Sequence, residues 1–283
     1  MYFFGTIANT RRFLNYAPFF VWKKSKTVPE ELYNPELVTK RYEFRDMIFS
    51  VVRDDLLPGG TWQRVFVRMM EDLPYKNFYM FAEGTSHVQT GGAYAAKLTG
   101  KTFTVYLLNK LTEITREAAA MTTNFKYFVM PGKYKNIREY QTDVDELMKD
   151  DPTSFKIIHG DIMMVDYLSE SISRAFPKNF KKPERIWITI RDGTMLRSLY
   201  KNFPDSHVMA VQIGNTYNEN VIDRSRTTIY VAPQYSNYEV PKTLLPPYPS
   251  EPTYDAKVWQ FFVHYGREGD MIWNVTGKQS HNF

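Results

Sequence analysis

Three short clusters in the sequence combine residue types that could do chemistry. Asp54 and Asp55 are adjacent carboxylates of the kind used in general acid–base catalysis, although the preceding Arg53 favours local charge balance. The His159-Gly160-Asp161 segment places two metal-ligand types together, but no third and fourth ligands follow at suitable spacing, so no metal site is predicted. The Arg191-Asp192-Gly193-Thr194 segment offers a guanidinium, a glycine and a hydroxyl, which suit an anion at the start of a helix.

Other common chemistries are excluded by what the sequence lacks. The chain has no cysteine, which rules out disulfides, thiolate metal ligands and a cysteine nucleophile. It contains no Gly-x-Ser-x-Gly elbow, no P-loop and no dinucleotide-binding fingerprint. Hydrolase, nucleotidase and dehydrogenase chemistry of these standard types is therefore not expected.

Length and composition indicate a folded protein of one large or two medium domains, with 283 residues, 43% hydrophobic and 24% charged. The net charge of +5 is mild, and the basic clusters Lys23-Lys24, Lys178 to Lys182 and Arg224 to Arg226 are too short to indicate nucleic-acid binding. The apolar stretch Tyr16 to Trp22 is too short to span a bilayer, and no secretory signal is recognised. The expected location is cytoplasmic.

Strand and helix patterns alternate along the chain. Such alternation predicts βαβ units and mostly parallel, doubly wound sheets, whose ligands bind at the carboxyl ends of the strands. The strand-to-helix turns to inspect are residues 54–64, 83–89, 159–163 and 191–194. The predicted strands are 47–52, 77–82, 102–107, 127–130, 155–158, 185–190, 207–214, 227–231 and 271–275. The predicted helices begin at an N-cap Thr61 and span 89–98, 111–121, 136–149, 163–176, 194–202 and 254–264.

Five segments in order resemble motifs of the fold-type II pyridoxal-phosphate enzymes, most nearly the 1-aminocyclopropane-1-carboxylate deaminase and D-cysteine desulfhydrase branch. They are Arg53 to Arg64, Thr85 to Gly100, Arg185 to Thr194, Pro252 to Lys257 and Trp273 to Gly277. The resemblance spans about residues 42–278. It implies two doubly wound, mostly parallel three-layer α/β/α domains, an architecture also called tryptophan synthase β-like. The implied division is an N-terminal arm and start of the large domain at 1–50, a smaller domain at 51–155, and the rest of the large domain at 156–283.

Departures from the family pattern bear directly on catalysis. Trp62 stands where the family has the lysine that forms the Schiff base, and an indole cannot form an imine. Lys76 and Lys97 are close in sequence but fall on positions predicted to face outward. The implied cofactor contacts are reduced to His87, in place of an asparagine, and to the shortened phosphate loop with Arg191, Gly193 and Thr194.

Two pocket positions of the family are kept. By resemblance, Tyr254 lines the substrate pocket, and Thr276 lies near the ring nitrogen of the cofactor. Simpler interpretations stand beside these roles: Trp62 as core filler, His87 as a loop hydrogen-bonder, and Arg191 with Asp192 as an ion pair at a strand end. No confident catalytic residue and no cofactor are predicted; pyridoxal phosphate would bind only if a pocket survives.

Three functions remain open. The favoured hypothesis is a catalytically altered or inactive relative of pyridoxal-phosphate-dependent deaminases and lyases that binds a ligand or partner. The first alternative is a structural or assembly protein, of bacteriophage origin and located in the host cytoplasm or the virion, that uses the aromatic N-terminal arm. The second is an active lyase or deaminase on an amino-acid-like substrate. Self-association as a homodimer or larger homo-oligomer is the expected partnership.

Overall fold

The computed structural model describes residues 27–276, apart from 134–135, 178–179, 215–218, 235, 237–238 and 242–244. The aromatic N-terminal arm and Gly277 therefore lie outside the described residues. The helices are α1 (Glu30–Tyr33), α2 (Gly60–Asp72), α3 (Val88–Thr99), α4 (Glu113–Met121), α5 (Ile137–Met148), α6 (Ile162–Ala175), α7 (Thr194–Asn202) and α8 (Trp259–Tyr265). The strands are β1 (Thr39–Phe44), β2 (Met47–Arg53), β3 (Asn77–Ala82), β4 (Thr102–Leu107), β5 (Phe125–Val129), β6 (Ser154–Lys156), β7 (Arg185–Ile190), β8 (His207–Gln212), β9 (Thr227–Val231) and β10 (Met271–Asn274).

The strands form two sheets, and the described pairings are parallel except for β1 with β2. The larger sheet has the order β1-β2-β10-β7-β8-β9, and the smaller has the order β5-β4-β3-β6. The smaller sheet comes from one continuous stretch, residues 77–156, whereas the larger takes strands from both sides of it. The predicted mixed α/β, mostly parallel architecture is confirmed, and the domain boundaries at 50 and 155 stay a prediction.

Burial explains why most strands were predictable. All six residues of β7 are buried, because helices or segments cover both faces of this central strand. β1 was missed, since it is an edge strand in which polar residues alternate with half-buried ones. It joins β2 through a two-residue hairpin turn at Arg45 and Asp46, both in the left-handed region with φ of 50° and 62°.

α2 is the central helix of the fold and is buried on nearly all sides from Gly60 to Met70. It packs against α3 and α6. Thr61, predicted as its N-cap, instead lies within its first turn, and the N-cap is Gly59. The Thr61 Oγ1 donates a hydrogen bond to Asp54 over 2.8 Å, which links the helix start to the end of β2.

The carboxylate of Asp54 anchors α2 at the place where the candidate site begins. It accepts hydrogen bonds from Nε and Nη2 of the fully buried Arg64 at 2.8–3.0 Å, and one from Trp273 Nε1 at 3.1 Å. The adjacent Asp55 forms a two-pronged pair with Arg53 at 2.7 Å. Both aspartates are thus engaged in structural ion pairs, as their charge balance indicated.

The structure also bears on the last predicted helix and on membrane-spanning segments. The last predicted helix is divided, with a 3₁₀ turn over Asp255–Val258 before α8. Among the described helices, none combines the length and the apolar character needed to cross a lipid bilayer.

Candidate functional site

A cavity of about 580 Å³ is lined from both sheets at the carboxyl ends of their strands. Its wall contains the residues that directly follow β3 (83 and 85–87), β6 (157–159), β7 (191–193) and β10 (275–276). This is where parallel α/β sheets bind ligands, because the strand ends open into loops on that side. The volume is that of a typical small-molecule site.

The structure brings most of the sequence-predicted residues to this cavity. Those that line it are Trp62, His87, Arg191, Gly193, Tyr254 and Thr276. Thr194 is fully buried just beyond Gly193, in the first turn of α7. Neither Lys76 nor Lys97 is part of the wall. The cavity therefore lies at the carboxyl ends of the strands, where the sequence pattern predicts a ligand site.

Trp62 is held at the wall by close packing between α2 and α3. It lies in the first turn of α2, and its ring centroid is 6.3 Å from that of Phe66. On the side of α3, a Cβ added to Gly91 would lie only 2.6 Å from the Trp62 Cβ. Only a glycine at position 91 therefore allows the two helices to approach this closely. Trp62 is half-buried and contributes to the cavity lining.

At the start of α7, a backbone N–H group donates a hydrogen bond to a side chain of the preceding loop. Gly193 has a φ of 79°, a left-handed conformation that aims the loop into the helix. The Thr194 backbone N–H donates to Asp192 Oδ1 over 2.9 Å, and His159 Nδ1 lies 3.2 Å from Asp192 Oδ2. Burial by itself would raise the pKa of Asp192. The hydrogen bond and charge of His159, together with the hydrogen bonds from Thr194, outweigh burial and lower the pKa to about 2.

Two ion pairs connect the loops of the smaller sheet to those of the larger one. Arg191 Nη2 lies 2.6 Å from Glu83 Oε1, and His87 Nε2 lies 3.5 Å from Glu251 Oε2. Burial raises the pKa of Glu251, but the adjacent His87 imidazole and the hydrogen bonds from Thr253 outweigh burial and lower the pKa to about 2. Glu251 therefore stays ionised at neutral pH and holds His87 across the cavity wall.

Beneath Tyr254 and Thr276 lies a buried carboxyl group, that of Asp255. It accepts hydrogen bonds from Thr189 Oγ1 at 2.9 Å and from the Thr276 backbone N–H at 2.8 Å. Burial raises the pKa of Asp255 to about 7 despite these bonds. Burial also raises the pKa of the Tyr254 hydroxyl, which stays protonated at any physiological pH.

The sequence prediction missed Lys156, which is the lysine of the cavity wall. It ends β6, and its position at the carboxyl end of a strand was the signal that could have found it. Its Nζ forms an ion pair with Asp145 and lies 5.2 Å from the centre of the Phe81 ring. Glu83 and Glu251 were likewise not predicted as site residues, because their partners Arg191 and His87 are distant in sequence.

A second cavity of about 810 Å³ adjoins the first. The two share a partition formed by four residues, Thr85, His87, Thr253 and Thr276. Lys97 lines this second space together with Tyr94. Within the part of the chain that the structure describes, no group of three or more His, Asp or Glu residues is arranged to hold a metal ion.

Comparison with solved structures shows that the fold is a known one. The chain is similar to an ACC deaminase homologue with 14% identity and a TM-score of 0.69, over 89% of this chain and 93% of that one. It is similar to a threonine deaminase from T.th. with 14% identity and a TM-score of 0.63, over 86% and 92%. A hydrogen sulfide-producing enzyme of Fusobacterium nucleatum matches with 11% identity and a TM-score of 0.61, over 87% and 96%.

These similarities concern the fold, since all three identities are low. No protein-family model matches the sequence, and no curated protein matches it. The structural matches confirm the predicted fold class.

Proposed function

We propose that this chain, which has the fold of fold-type II pyridoxal-phosphate enzymes, is a relative without their chemistry that uses the cavity to bind a small ligand. By their names, the neighbouring structures are an ACC deaminase homologue, a threonine deaminase and a hydrogen sulfide-producing enzyme, which supports the choice of scaffold. The proposal on chemistry depends on whether the residues of the cavity suit the cofactor.

The first mismatch between the cavity and the cofactor concerns the lysine amine that an imine requires. By resemblance the reactive lysine position is Trp62, whose side chain lines the cavity. Lys156 is the lysine in the wall, and its ammonium group is engaged by Asp145 and by the face of Phe81. A lysine that already pairs with a carboxylate would have to leave that partner before it could form an imine with the cofactor.

The phosphate position is the second point of disagreement. By resemblance it is the start of α7, where backbone N–H groups would face an anion. There the Asp192 carboxylate already accepts the Thr194 N–H, and its low pKa keeps it negative. Arg191 is engaged by Glu83, and Arg197 by the carbonyl groups of Gly160 and Gly193. A phosphate at this position would therefore lie close to the negative charge of Asp192, and both arginines would already be engaged by other groups.

The residues present therefore do not suit pyridoxal phosphate. The observation that carries the proposal is the Asp192 carboxylate on the α7 N–H group, because it places a fixed negative charge where the phosphate would have to sit. The cavity itself remains, with the volume and mixed lining of a ligand site. Ligand binding without cofactor chemistry is the function that these features support best.

The experiment is incubation of the purified protein with pyridoxal phosphate, reduction with borohydride, and peptide mass spectrometry. We expect no stoichiometric adduct at a single lysine and no aldimine absorption band. Lys156→Met, which removes the cavity amine, and Lys149→Met, which removes an exposed lysine paired with Glu146, form the matched pair of variants. A stoichiometric adduct lost in Lys156→Met but kept in Lys149→Met would overturn the proposal.

That contrary result would support the alternative of an active lyase or deaminase, for which Tyr254, Thr276 and His87 are already at the cavity. The assembly alternative depends on the N-terminal arm, which lies outside the described residues. Homodimer formation stays a prediction.

A further inference from the structure

The charged groups of the 580 Å³ cavity share one property. The residues of its wall with charged or imidazole side chains are Glu83, His87, Lys156, His159, Arg191 and Asp192. Each of these side chains lies within 3.5 Å of a carboxylate, a guanidinium, an ammonium or an imidazole group of the protein. Because no charged side chain of the described wall lacks a partner, the charge of a ligand should affect whether it binds in this cavity.

Two of the pairs are formed within the wall itself. Glu83 pairs with Arg191 at 2.6 Å, and His159 pairs with Asp192 at 3.2 Å. These four side chains are partly shielded from water, with exposed fractions of 24–31%. The carboxylates of both pairs already have partners within the wall, so a ligand cation would have to compete with Arg191 or His159 for them.

The other two pairs use partners behind the wall. His87 faces Glu251 at 3.5 Å, and Glu251 also accepts a hydrogen bond from Thr253 Oγ1 at 2.9 Å. Lys156 pairs with Asp145 on α5 and lies over the Phe81 ring. A ligand carboxylate or phosphate that recruited Lys156 or His87 would have to compete with a carboxylate already in place.

The rest of the wall is apolar or neutral. The rings of Trp62, Phe81 and Tyr254 contribute aromatic surface, and most remaining wall residues are aliphatic. Neutral hydrogen-bonding groups are supplied by Ser86, Gln141 and Thr85. The Thr85 Oγ1 is buried and has no hydrogen-bond partner among the described residues, so a ligand hydroxyl or carbonyl group would satisfy it.

An ion entering this cavity would lose hydration without gaining a free counter-charge, or would leave one wall residue unpaired. The loss of hydration is costly for an ion that finds no free counter-charge, whereas a neutral group loses much less. We propose that the cavity selects an uncharged, flat ligand carrying a hydroxyl or carbonyl group. This inference rests on the proposed function, since it names the ligand class of the same cavity.

The experiment compares three probes that share one ring system and differ in charge. They are 2-naphthalenemethanol, 2-naphthoate and 2-naphthylmethylammonium, titrated into the full chain by calorimetry at pH 7. We expect the alcohol to bind at least about tenfold more tightly than either ion, a difference of about 1.4 kcal/mol. Trp62→Ala should weaken the alcohol through loss of ring contact, which assigns the binding to this cavity.

A charge-release variant tests the reason for the preference. Glu83→Gln removes the carboxylate that engages Arg191, and the affinity for 2-naphthoate should rise about tenfold or more while that for the alcohol changes little. Asp192→Asn, which releases His159 instead, is a second variant in case the first does not fold. Glu146→Gln breaks an exposed pair with Lys149 and should leave all three affinities unchanged.

The outcomes separate this inference from the proposed function. If wild type binds 2-naphthoate or the ammonium more tightly than the alcohol, the selection for uncharged ligands is wrong, while the cavity remains a ligand site. If none of the probes binds wild type or either charge-release variant, ligand binding itself is contradicted, and the inference fails with it. Both proposals are supported if wild type prefers the alcohol and the Glu83→Gln variant prefers 2-naphthoate.

Discussion

Asp255 shows how burial and hydrogen bonding compete at one residue. Its carboxyl group is 3% exposed and accepts bonds from Thr189 and Thr276, yet burial raises its pKa from 3.8 to about 7. The folded protein therefore holds this proton more tightly than the unfolded chain does. The resulting contribution to stability is complete below about pH 4 and is lost as the pH rises through 7.

Replacing Asp255 with asparagine should remove this pH dependence. Asparagine keeps an oxygen for the Thr276 N–H and can donate to Thr189, but it carries no charge. We expect wild type to lose on the order of 2–4 kcal/mol of unfolding free energy relative to Asp255→Asn between pH 4 and pH 8, measured by urea unfolding.

Asp161→Asn, at the half-buried N-cap of α6, is the control for the same chemical change. Parallel stability curves for wild type and Asp255→Asn would contradict the assignment of a raised pKa to this carboxyl.

At the scale of elements, the contact between α2 and α3 sets the shape of the cavity wall. The backbones approach at Gly59 and Gly91, where a Cβ on Gly59 would lie 2.8 Å from the Gly91 Cα. The same approach holds Trp62 at the wall. The small residues at the start of α3 are thus explained by packing against α2 and Phe103, not by contact with a ligand.

Gly91→Ala should force these helices apart. The new methyl group would lie 2.6 Å from Trp62 Cβ and 2.9 Å from its carbonyl carbon, and backbone atoms cannot give way as a flexible side chain does. We expect a loss of about 1–3 kcal/mol in unfolding free energy, measured by urea denaturation.

The matched control is Gly132→Ala, because none of the described residues lies within 4 Å of a Cβ at that position. Its unfolding free energy should change by less than about 0.5 kcal/mol. Equal effects of the two substitutions would show that the α2–α3 contact is not as tight as described.

At the scale of the molecule, the two sheets are joined around the cavity by ion pairs from distant parts of the chain. Glu83 and Arg191 are 108 positions apart, and His87 and Glu251 are 164 apart, as their numbers show. Each pair fastens a loop that follows the smaller sheet to a loop of the larger one. The opening of the cavity therefore depends on contacts that belong to neither sheet alone.

Arg191→Met should loosen this connection while leaving the fold intact. The pair is partly exposed, so its contribution to stability is small, about 0–1 kcal/mol. We expect faster amide hydrogen exchange at residues 83–87 and 191–193, measured by mass spectrometry, with little change in melting temperature.

Arg174→Met breaks a pair with Glu170 inside α6 and serves as the control. It should leave exchange at both loops unchanged. Unaltered exchange in Arg191→Met would mean that the Glu83–Arg191 pair does not fasten the two loops.

Much of the fold was predictable because burial on both faces leaves long apolar runs in the sequence. β7 and β8 were recognised in this way, and Gly100 ended α3 in the left-handed conformation that was expected. β1 was not recognised, because an edge strand with polar residues carries no such run. The N-cap of α2 was misplaced because the Thr61 hydroxyl bonds to Asp54 instead of to the helix backbone.

By itself, the sequence determined the order of most strands and helices, the end of the sheets at which the cavity lies, and the presence of an indole where the resembling family has an amine. Those properties depend on local pattern and residue type. Only the tertiary structure decided which charges cancel, such as Arg191 with Glu83 and Lys156 with Asp145. Partners distant in sequence meet only when the two sheets and their loops pack together, and that packing leaves a cavity with no uncommitted charge in its described wall.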